Sequence, residues 1–268
     1  MGSILKIENL VKRYAKRDFG TPQDFLALDS VSLTVSAGTT FAIVGESGSG
    51  KSTLASCIAC LEMPTAGNLW FEGRNLAQFA EGELRKIRPQ IQLIFSDPAS
   101  SLSPRMTILD IVLEPLILQG KLVRKELQTR AFSLLERVGL SADMAGRSAA
   151  ELSGGQRQRL AIARSLTLHP KILILDEALS ALDCSVQAQI ANLLLELQTT
   201  LGMTFLFITH DLAMAAHLAD EIAVMSHGRI VEHGPATQIL RDPSHEATRQ
   251  LLAAVPRLPR APLPATQQ

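Results

Sequence analysis

Residues 41–52 read Phe41-Ala42-Ile43-Val44-Gly45-Glu46-Ser47-Gly48-Ser49-Gly50-Lys51-Ser52, so that an apolar run leads directly into a glycine-rich loop. The last eight residues satisfy the pattern G-x-x-x-x-G-K-[ST], in which backbone N–H groups converge on a phosphate. The apolar tetrapeptide before the loop predicts a strand buried on both faces. Residues 53–61 predict a helix, whose N-terminus adds positive charge beside the loop. An ordinary glycine-rich turn is the alternative, but the flanking strand and helix favour nucleotide binding.

The side chains of this phosphate loop have separate predicted roles. Lys51 can reach the β- and γ-phosphates of ATP, and the hydroxyl of Ser52 can ligate Mg²⁺. The residues predicted to contact ATP are Gly45, Ser47, Gly48, Ser49, Gly50, Lys51, Ser52 and Thr53.

Two further apolar runs, at residues 172–175 and 205–208, are separated from each other and from the first by helical patterns. This alternation predicts an α/β fold with a mostly parallel core sheet. Asp176 and Glu177 follow the second run, where a carboxylate points into the crevice in which such sheets bind ligands. An acidic pair alone is more often a solvated strand end, but beside a phosphate loop it favours hydrolysis. Asp176 is therefore predicted to hold Mg²⁺, and Glu177 to orient or deprotonate the attacking water.

Three other regions predict antiparallel β structure. Residues 31–35 alternate apolar and polar side chains, as in a strand with one buried face, and residues 69–71 predict a second short strand near them. Residues 222–225 and 229–233 flank a Ser-His-Gly turn and predict a hairpin.

Helical patterns dominate residues 104–152, which predict an inserted helical subdomain. Within it, residues 131–138 show helical spacing and Gly139 is a plausible stop. Residues 254–268 contain four prolines and predict an extended, flexible tail.

Composition excludes several classes of protein. The 268 residues carry 26 basic and 26 acidic side chains, and this balance argues against a polyanion-binding surface that covers the whole protein, while a local patch stays open. The expectation is no nucleic-acid partner. Hydrophobic residues make up 46% of the chain, enough to bury a core. The three cysteines are too few for a disulfide framework. Cys57 and Cys60 form a C-x-x-C pair, but apolar neighbours favour two buried residues inside one helix over a redox or zinc site.

No apolar run approaches the eighteen or so residues that a membrane-spanning helix requires. The first ten residues contain Lys6 and Glu8 and lack the apolar stretch of a signal peptide. The expectation is a cytoplasmic chain that reaches a membrane only through a partner.

Residues 152–156 read Leu152-Ser153-Gly154-Gly155-Gln156. Ser153 and Gln156 have the spacing of a capping box, which predicts a helix over residues 157–168. The segment also resembles the signature of ABC-type ATPases, and the two interpretations agree because a helix N-terminus behind two glycines is an anion site. The resemblance implies that residues 153–156 close over the γ-phosphate of ATP bound to a second ABC ATPase subunit. Each chain would then complete its neighbour's site in a head-to-tail dimer.

Further positions match the same family over residues 4–253. Tyr14 stands where the family places an aromatic ring that stacks on adenine, although a surface aromatic on a strand is the alternative. Ser180-Ala181-Leu182-Asp183 resembles the loop that crosses the dimer interface. His210, after the third apolar run, resembles the histidine that contacts the γ-phosphate and the attacking water. The resemblance implies a P-loop NTPase fold with an N-terminal antiparallel β subdomain and a helical subdomain over about residues 97–160.

A narrower resemblance is to the ATP-binding subunits of peptide and nickel importers. Residues 91–98 and 101–107 are similar to the loop that joins their sheet and helical subdomains, and residues 242–252 are similar to the end of their ATPase domain. This resemblance implies ATP hydrolysis that drives import of an oligopeptide, a dipeptide or a metal chelate. The implied partners are transmembrane permease subunits and, indirectly, an extracytoplasmic solute-binding protein. The implied location is the cytoplasmic face of the inner membrane.

One residue departs from the family pattern. Ser96 stands where the family has a glutamine near the Mg²⁺ and water shell, and its side chain is shorter. The substitution predicts slower or less tightly coupled ATP turnover, with Ser96 contacting the metal only through water. Two alternative functions are also compatible with the sequence: a soluble accessory ATPase, for example in phosphonate breakdown, and a nucleotide-binding regulator with a weakened site. Whether the partner ATPase is a second copy or a different chain is open.

Overall fold

The computed structural model describes residues 2–16, 23–120 and 124–254. The predicted proline-rich tail, apart from Ala254, lies outside the described residues. The strands are β1 (Ser3–Lys16), β2 (Gln23–Ser36), β3 (Thr40–Val44), β4 (Ala66–Phe71), β5 (Arg74–Asn75), β6 (Ile91–Ile94), β7 (Ile172–Asp176), β8 (Thr204–Thr209), β9 (Glu221–Ser226) and β10 (Arg229–Pro235). The helices are α1 (Lys51–Ile58), α2 (Glu81–Ile87), α3 (Pro98–Ser101), α4 (Ile108–Leu118), α5 (Arg124–Arg137), α6 (Gly154–Leu166), α7 (Cys184–Leu201), α8 (Leu212–Leu218), α9 (Ala236–Arg241) and α10 (Glu246–Ala254).

The strands form two sheets. An antiparallel sheet has the order β2-β1-β4-β5, and a larger sheet has the order β10-β9-β3-β8-β7-β6. In the larger sheet, β9, β3, β8, β7 and β6 are parallel neighbours, and only β10 is antiparallel, through its hairpin with β9. The predicted α/β class, antiparallel N-terminal region and late hairpin are confirmed.

The continuous apolar runs are explained by burial on both faces of the larger sheet. Phe41 and Ile43 of β3 pack in a cluster with α1 and the antiparallel sheet, while Ala42 and Val44 pack with the helices on the other side. Since side chains alternate along a strand, a strand between two apolar layers must be apolar at every position. All five residues of β3 and of β7 are buried.

The prediction for the helix after the phosphate loop is wrong at its end. Helix α1 stops at Ile58 rather than near residue 61, because Cys60 has a left-handed backbone with φ of 56°. Only Cys57 therefore lies inside the helix, although both thiols are buried as predicted. Burial raises the pKa of Cys57 to about 12 and that of Cys60 to about 11, so both thiols stay protonated at neutral pH.

The helical region between β6 and β7 contains α3, α4, α5 and α6. Helix α5 stops just before Gly139, which has a φ of 76°, as the sequence predicts. The helix after residue 153 begins three residues earlier than predicted and ends at Leu166, because Gly154 and Gly155 form its first turn.

The last helix is fixed to the larger sheet by one carboxylate. Glu232 on β10 accepts hydrogen bonds from the backbone and hydroxyl of Ser244, from the backbone N–H of His245 and from the hydroxyl of Thr248. Burial acts to raise the pKa of Glu232, but these donors outweigh it and lower the pKa to about 2. The segment 242–252, noted in the sequence, is thus held against β10.

Candidate functional site

The predicted catalytic segments meet because their strands are parallel neighbours. Strand β3 pairs with β8, and β8 pairs with β7. The carboxyl ends of these three strands lead into the phosphate loop, His210 and Glu177 respectively. Parallel α/β sheets bind their ligands at this edge.

Glycine is required at two points of the phosphate loop. A Cβ on Gly45 would lie 2.2 Å from the carbonyl oxygen of Met225, and a Cβ on Gly50 would lie 2.5 Å from that of Ala27. Gly50 also has a φ of 103°, which strains any other residue. Helix α1 then begins without a side-chain cap, so its first N–H groups are left for a ligand.

Lys51 is the buried cation of the loop. Its ammonium donates hydrogen bonds to the carbonyl oxygens of Gly45 and Glu46, both at 2.8 Å. Burial lowers the pKa of Lys51, while the carboxylates of Glu177 and Asp176 oppose that shift. The ammonium is therefore already positioned where the loop curves around a phosphate.

Two oxygen ligands suited to Mg²⁺ lie next to each other. The Ser52 hydroxyl donates to Oδ1 of Asp176 at 3.1 Å. Burial raises the pKa of Asp176, with the Ser52 hydrogen bond acting against it, so the charged form is costly and would gain from a cation. A hydroxyl and a carboxylate are hard oxygen donors of the kind that Mg²⁺ binds together with phosphate and water. The residues present fit the metal.

Glu177 lies between Lys51 and His210. Its Oε1 is 3.5 Å from Nδ1 of His210 and 4.0 Å from Nζ of Lys51. Its backbone has a φ of 49° and is fixed by a hydrogen bond from its N–H to the carbonyl of Ile208. A non-glycine residue in this conformation costs about 1–3 kcal/mol and persists only where the surroundings impose it. The backbone conformation therefore fixes the position of the Glu177 carboxylate, a group that can align a water molecule.

An open cleft of about 340 Å³ lies over the loop. Phe25 and Ala27 of β2 line it, together with phosphate-loop residues and Glu177. The sequence analysis missed Phe25, which is 56% exposed. Its only signal is an aromatic residue at the start of a strand, which does not reveal what the strand faces.

Tyr14 lies beside the cleft, but the described residues that line the cleft do not include it. Its hydroxyl donates to Oε2 of Glu62 at 2.5 Å, and Nζ of Lys12 lies 5.0 Å from its ring centre. Burial and the Glu62 carboxylate raise its pKa, whereas the nearby Thr53 hydroxyl lowers it. The stacking role of Tyr14 stays a prediction.

The signature segment is separate from this cleft. Gln156 N–H donates to Oγ of Ser153, and Ser153 N–H donates to Oε1 of Gln156, so the predicted capping box is confirmed. Ser153 and Gly154 are exposed. A Cβ on Gly155 would lie 2.5 Å from Cγ1 of Val186, the residue whose N–H is capped by Asp183. The signature therefore packs on the start of α7, beside the predicted interface loop.

A second cleft, of about 520 Å³, separates α4 and α6 from β6 and the end of α1. Three exposed apolar side chains line it: Leu61, Phe95 and Leu118, of which Leu118 is 79% exposed. Ser96 follows Phe95 and is itself exposed. It lies two residues beyond β6, the strand next to β7. Among the described helices, none has the length and apolarity to cross a membrane.

Residues 28–180 match the family described as ABC transporter. The chain is 46% identical, over 240 residues, to the dipeptide transport ATP-binding protein DppF of Haemophilus influenzae, covering 90% of this chain and 73% of that protein. It is 47% identical to the probable peptide ABC transporter ATP-binding protein y4tS of Sinorhizobium fredii, covering 95% and 73%. It is 45% identical to the glutathione import ATP-binding protein GsiA of Escherichia coli, covering 94% of this chain but only 41% of that one.

The fold of this chain is also similar to solved structures of ATP-binding cassettes and ABC transporter components. A dimeric post-hydrolysis structure of the ATP-binding cassette MJ0796, bound to ADP and Pi, has a TM-score of 0.78 at 33% identity. The match covers 87% of this chain and 98% of that one. The structure of cbiO1 from Clostridium perfringens, part of an ABC transporter complex, has a TM-score of 0.79 at 29% identity and covers 90% and 92%.

Proposed function

This chain belongs to the ABC transporter family, and we propose that it is the ATP-hydrolysing subunit of an importer for a peptide-like solute. Relatives named for dipeptide, peptide and glutathione transport support the solute class. They do not favour the alternative of an accessory ATPase outside transport. The proposed domain comprises residues 4–253, with the helical subdomain inserted over about residues 97–160.

One observation carries the proposal of hydrolysis: Lys51, Glu177 and His210 converge at one edge of the parallel sheet. Lys51 balances charge on the phosphates, and Glu177 accepts a proton from water or aligns it for attack. His210 holds the carboxylate of Glu177 from the other side and contacts the γ-phosphate. The products are ADP and phosphate.

Mg²⁺ is proposed as the metal of this reaction. Ser52 and Asp176 would hold it. When bound, the ion neutralises charge that develops on the phosphate oxygens. Asp176 gains from the ion because its charged form is otherwise penalised by burial.

A second ATPase subunit is proposed to complete each site. The residues lining the phosphate cleft come from β2, the loop, the start of α1 and Glu177, and none of the described signature residues is among them. Ser153 and Gly154 face outward instead. Their placement beside Asp183 favours a head-to-tail dimer in which the signature of one chain contacts ATP held by the other. The solved structure of the cassette MJ0796 is dimeric, which supports pairing of two ATPase subunits.

The transmembrane partner is proposed to dock in the 520 Å³ cleft, at the cytoplasmic face of the membrane. Phe95 and Leu118 supply the exposed apolar surface that a docked helix would bury. The cleft borders residues 96–106, the loop that links it to the carboxyl end of β6. A solute-binding protein would act through the permease without touching this chain.

The proposal is tested with Glu177→Gln, assayed for ATP hydrolysis and for ATP-dependent dimerisation by light scattering. We expect hydrolysis to fall by about 100-fold or more, with the dimer persisting in ATP, because the nucleotide is bound but not consumed. Glu136→Gln is the matched control, since Glu136 is an exposed carboxylate on α5. Wild-type hydrolysis by Glu177→Gln would refute the assignment, and a chain that stays monomeric in ATP with its natural partners would refute the shared site.

A further inference from the structure

The turn between β9 and β10 packs on the phosphate loop. It consists of His227 and Gly228, whose φ values of 47° and 77° are both positive. Two-residue hairpin turns favour such values because they match the twist of the paired strands. Connecting segments usually lie on the protein surface, but Gly228 is buried. The contacts that bury it are with the loop and with β2.

The hairpin contacts the phosphate loop near both of its ends. At the start of the loop, a Cβ on Gly45 would lie 2.2 Å from the carbonyl oxygen of Met225 on β9. Near the end of the loop, the N–H of Gly228 donates a hydrogen bond of 2.9 Å to the carbonyl oxygen of Ser49. The described residues that line the nucleotide cleft include neither Met225 nor Gly228. The hairpin therefore supports the loop from the side that faces away from the ligand.

The same turn is fitted against β2. A Cβ on Gly228 would lie 2.9 Å from the carbonyl oxygen of Ala27, and a Cβ on Gly50 would lie 2.5 Å from the same oxygen. This carbonyl is thus enclosed between the turn and the loop, and glycine is required on both sides. The N–H of Asp29 donates to the carbonyl of Gly228 at 2.9 Å, and Nε of Arg229 donates to Oδ2 of Asp29 at 2.7 Å. These bonds hold the turn in place on β2.

The hydrogen bond from the turn fixes the direction of one peptide group in the loop. In a trans peptide, the C=O and the N–H that follows it point in opposite directions. Because the carbonyl of Ser49 is directed at Gly228, the N–H of Gly50 is directed away from the turn, and Gly50 lines the cleft. Backbone N–H groups in such a loop are the donors that bind phosphate oxygens. The turn therefore orients a phosphate-binding donor that it does not itself contain.

We propose that Gly228 is a positioning residue for the phosphate loop, an inference that rests on the proposed ATPase function. Gly228 acts on the triphosphate through Ser49 and Gly50 and touches no ligand itself. A larger residue at this position would push the turn away from β2 and rotate the N–H of Gly50 away from the phosphate. The effect concerns phosphate oxygens only, so it applies to any polyphosphate and does not depend on the base.

The test compares Gly228→Ala with Gly73→Ala, which is a matched control. Glu72 and Gly73 form the turn between β4 and β5 with φ values of 49° and 76°, so alanine meets the same backbone strain in both turns. A Cβ on Gly73 would have no atom of the described residues within 4 Å, apart from its chain neighbours. The two variants therefore differ in the contact with Ala27 and not in the kind of turn.

Binding of ATP and of inorganic tripolyphosphate is measured by calorimetric titration, well below the melting temperature of each variant. For Gly228→Ala we expect both affinities to fall by the same factor, about 10- to 100-fold, since a hydrogen bond to a charged group has that worth. For Gly73→Ala we expect wild-type affinities within about twofold, although its melting temperature also falls. A lower melting temperature alone does not change the affinity of a protein that is almost fully folded, so the titration separates positioning from stability.

Gly228→Asn tests the same contact if the alanine variant folds poorly. Asparagine adopts a left-handed backbone more readily than alanine but carries the same Cβ, so it should show the same loss of affinity. Wild-type affinity for both ligands in folded Gly228→Ala or Gly228→Asn would overturn the inference. A loss for ATP alone, or an equal loss in Gly73→Ala, would also overturn it. A wild-type chain that binds neither ATP nor tripolyphosphate would instead refute the proposed function.

Discussion

The phosphate loop and the signature segment are both glycine-rich helix N-termini, but the chain finishes them differently. Helix α1 begins at the loop with no side-chain cap, and Lys51 is buried behind it. Helix α6 begins at Ser153 with a complete capping box and exposed residues. An uncapped terminus has free N–H groups for a ligand, whereas a capped one has already satisfied some of them. The phosphate loop can therefore bind nucleotide within one chain. The signature segment has fewer free N–H groups and is expected to make a weaker contact across an interface.

The largest expected effect comes from inactivating the phosphate loop and the signature segment one at a time. Lys51→Ala should weaken ATP binding by about 100-fold, because a charged partner of the phosphates is lost. Ser153→Arg should leave ATP binding intact and abolish hydrolysis, because the long side chain at the exposed cap displaces this signature from the ATP held by the neighbour. Binding is measured by calorimetry and turnover by phosphate release.

Mixing these two inactive proteins sharpens the comparison. A mixed dimer would contain one site with an intact loop and an intact signature. Random mixing should recover about one quarter of wild-type hydrolysis, since half of the dimers are mixed and each has one working site of two. Full hydrolysis by Ser153→Arg alone would show that the signature does not act across an interface.

The second prediction concerns the replacement of glycine by alanine in the signature segment and in the phosphate loop. Gly155→Ala places a methyl 2.5 Å from Cγ1 of Val186, which should destabilise the fold by about 2 kcal/mol. Because the obstacle is a side chain, the double variant with Val186→Ala should recover most of the loss in thermal unfolding.

Two further glycine variants serve as comparisons for Gly155→Ala. Gly154→Ala should be nearly neutral, since its nearest neighbour is a Leu182 methyl at 3.3 Å. Gly50→Ala should resist rescue by any side-chain change, because the obstacle there is the backbone carbonyl of Ala27 and φ is positive. A Gly155→Ala protein as stable as wild type would contradict the described packing of α6 on α7.

Local sequence patterns were enough to predict much of the phosphate loop, the signature segment and the strands around them. The buried strands, the loop, the carboxylates after β7 and the capping box each depend on residues close in sequence. Pairing of parallel strands then brings Glu177 within 3.5 Å of His210, which the order of apolar runs makes plausible without giving a distance. The helical spacing after the loop could not reveal that Cys60 leaves the helix, because a left-handed residue has no distinctive signal when it is not glycine.

Long-range contacts were beyond the sequence. Phe25 lies at the cleft because β2 packs on Gly50. Residues 15–24 separate it from Tyr14 along the chain. Glu232 collects donors twelve to sixteen residues away. Nothing in the pattern around either residue distinguishes it from an ordinary strand residue.

The third prediction concerns Glu232, which lies outside both the phosphate loop and the signature segment and serves as a reference. Glu232→Gln should lower stability by about 1 kcal/mol at neutral pH, because four donors lose a charged acceptor that is partly open to solvent. The pKa is lowered in the fold, from 4.5 to about 2, so this contribution is present above pH 4.5 and lost as the pH falls toward 2. The difference in melting temperature between variant and wild type should therefore shrink between pH 6 and pH 3. ATP affinity should not change, and a large change would mean that α10 influences the cleft.

The smallest expected effect concerns Ser96, which lies between the nucleotide edge and the proposed docking cleft. Ser96 belongs to neither the phosphate loop nor the signature segment. It follows Phe95, which lines the docking cleft, and it lies beyond the carboxyl end of β6, the strand that pairs with β7. Ser96→Gln lengthens the side chain and gives it an amide that can contact metal-bound water. We expect hydrolysis by the assembled transporter to rise about two- to fivefold, a change of about 1 kcal/mol or less, with little change in the isolated chain. Ser96→Ala, which shortens the side chain, should match wild type. If Ser96→Gln leaves transport-coupled hydrolysis unchanged, the short side chain does not limit coupling.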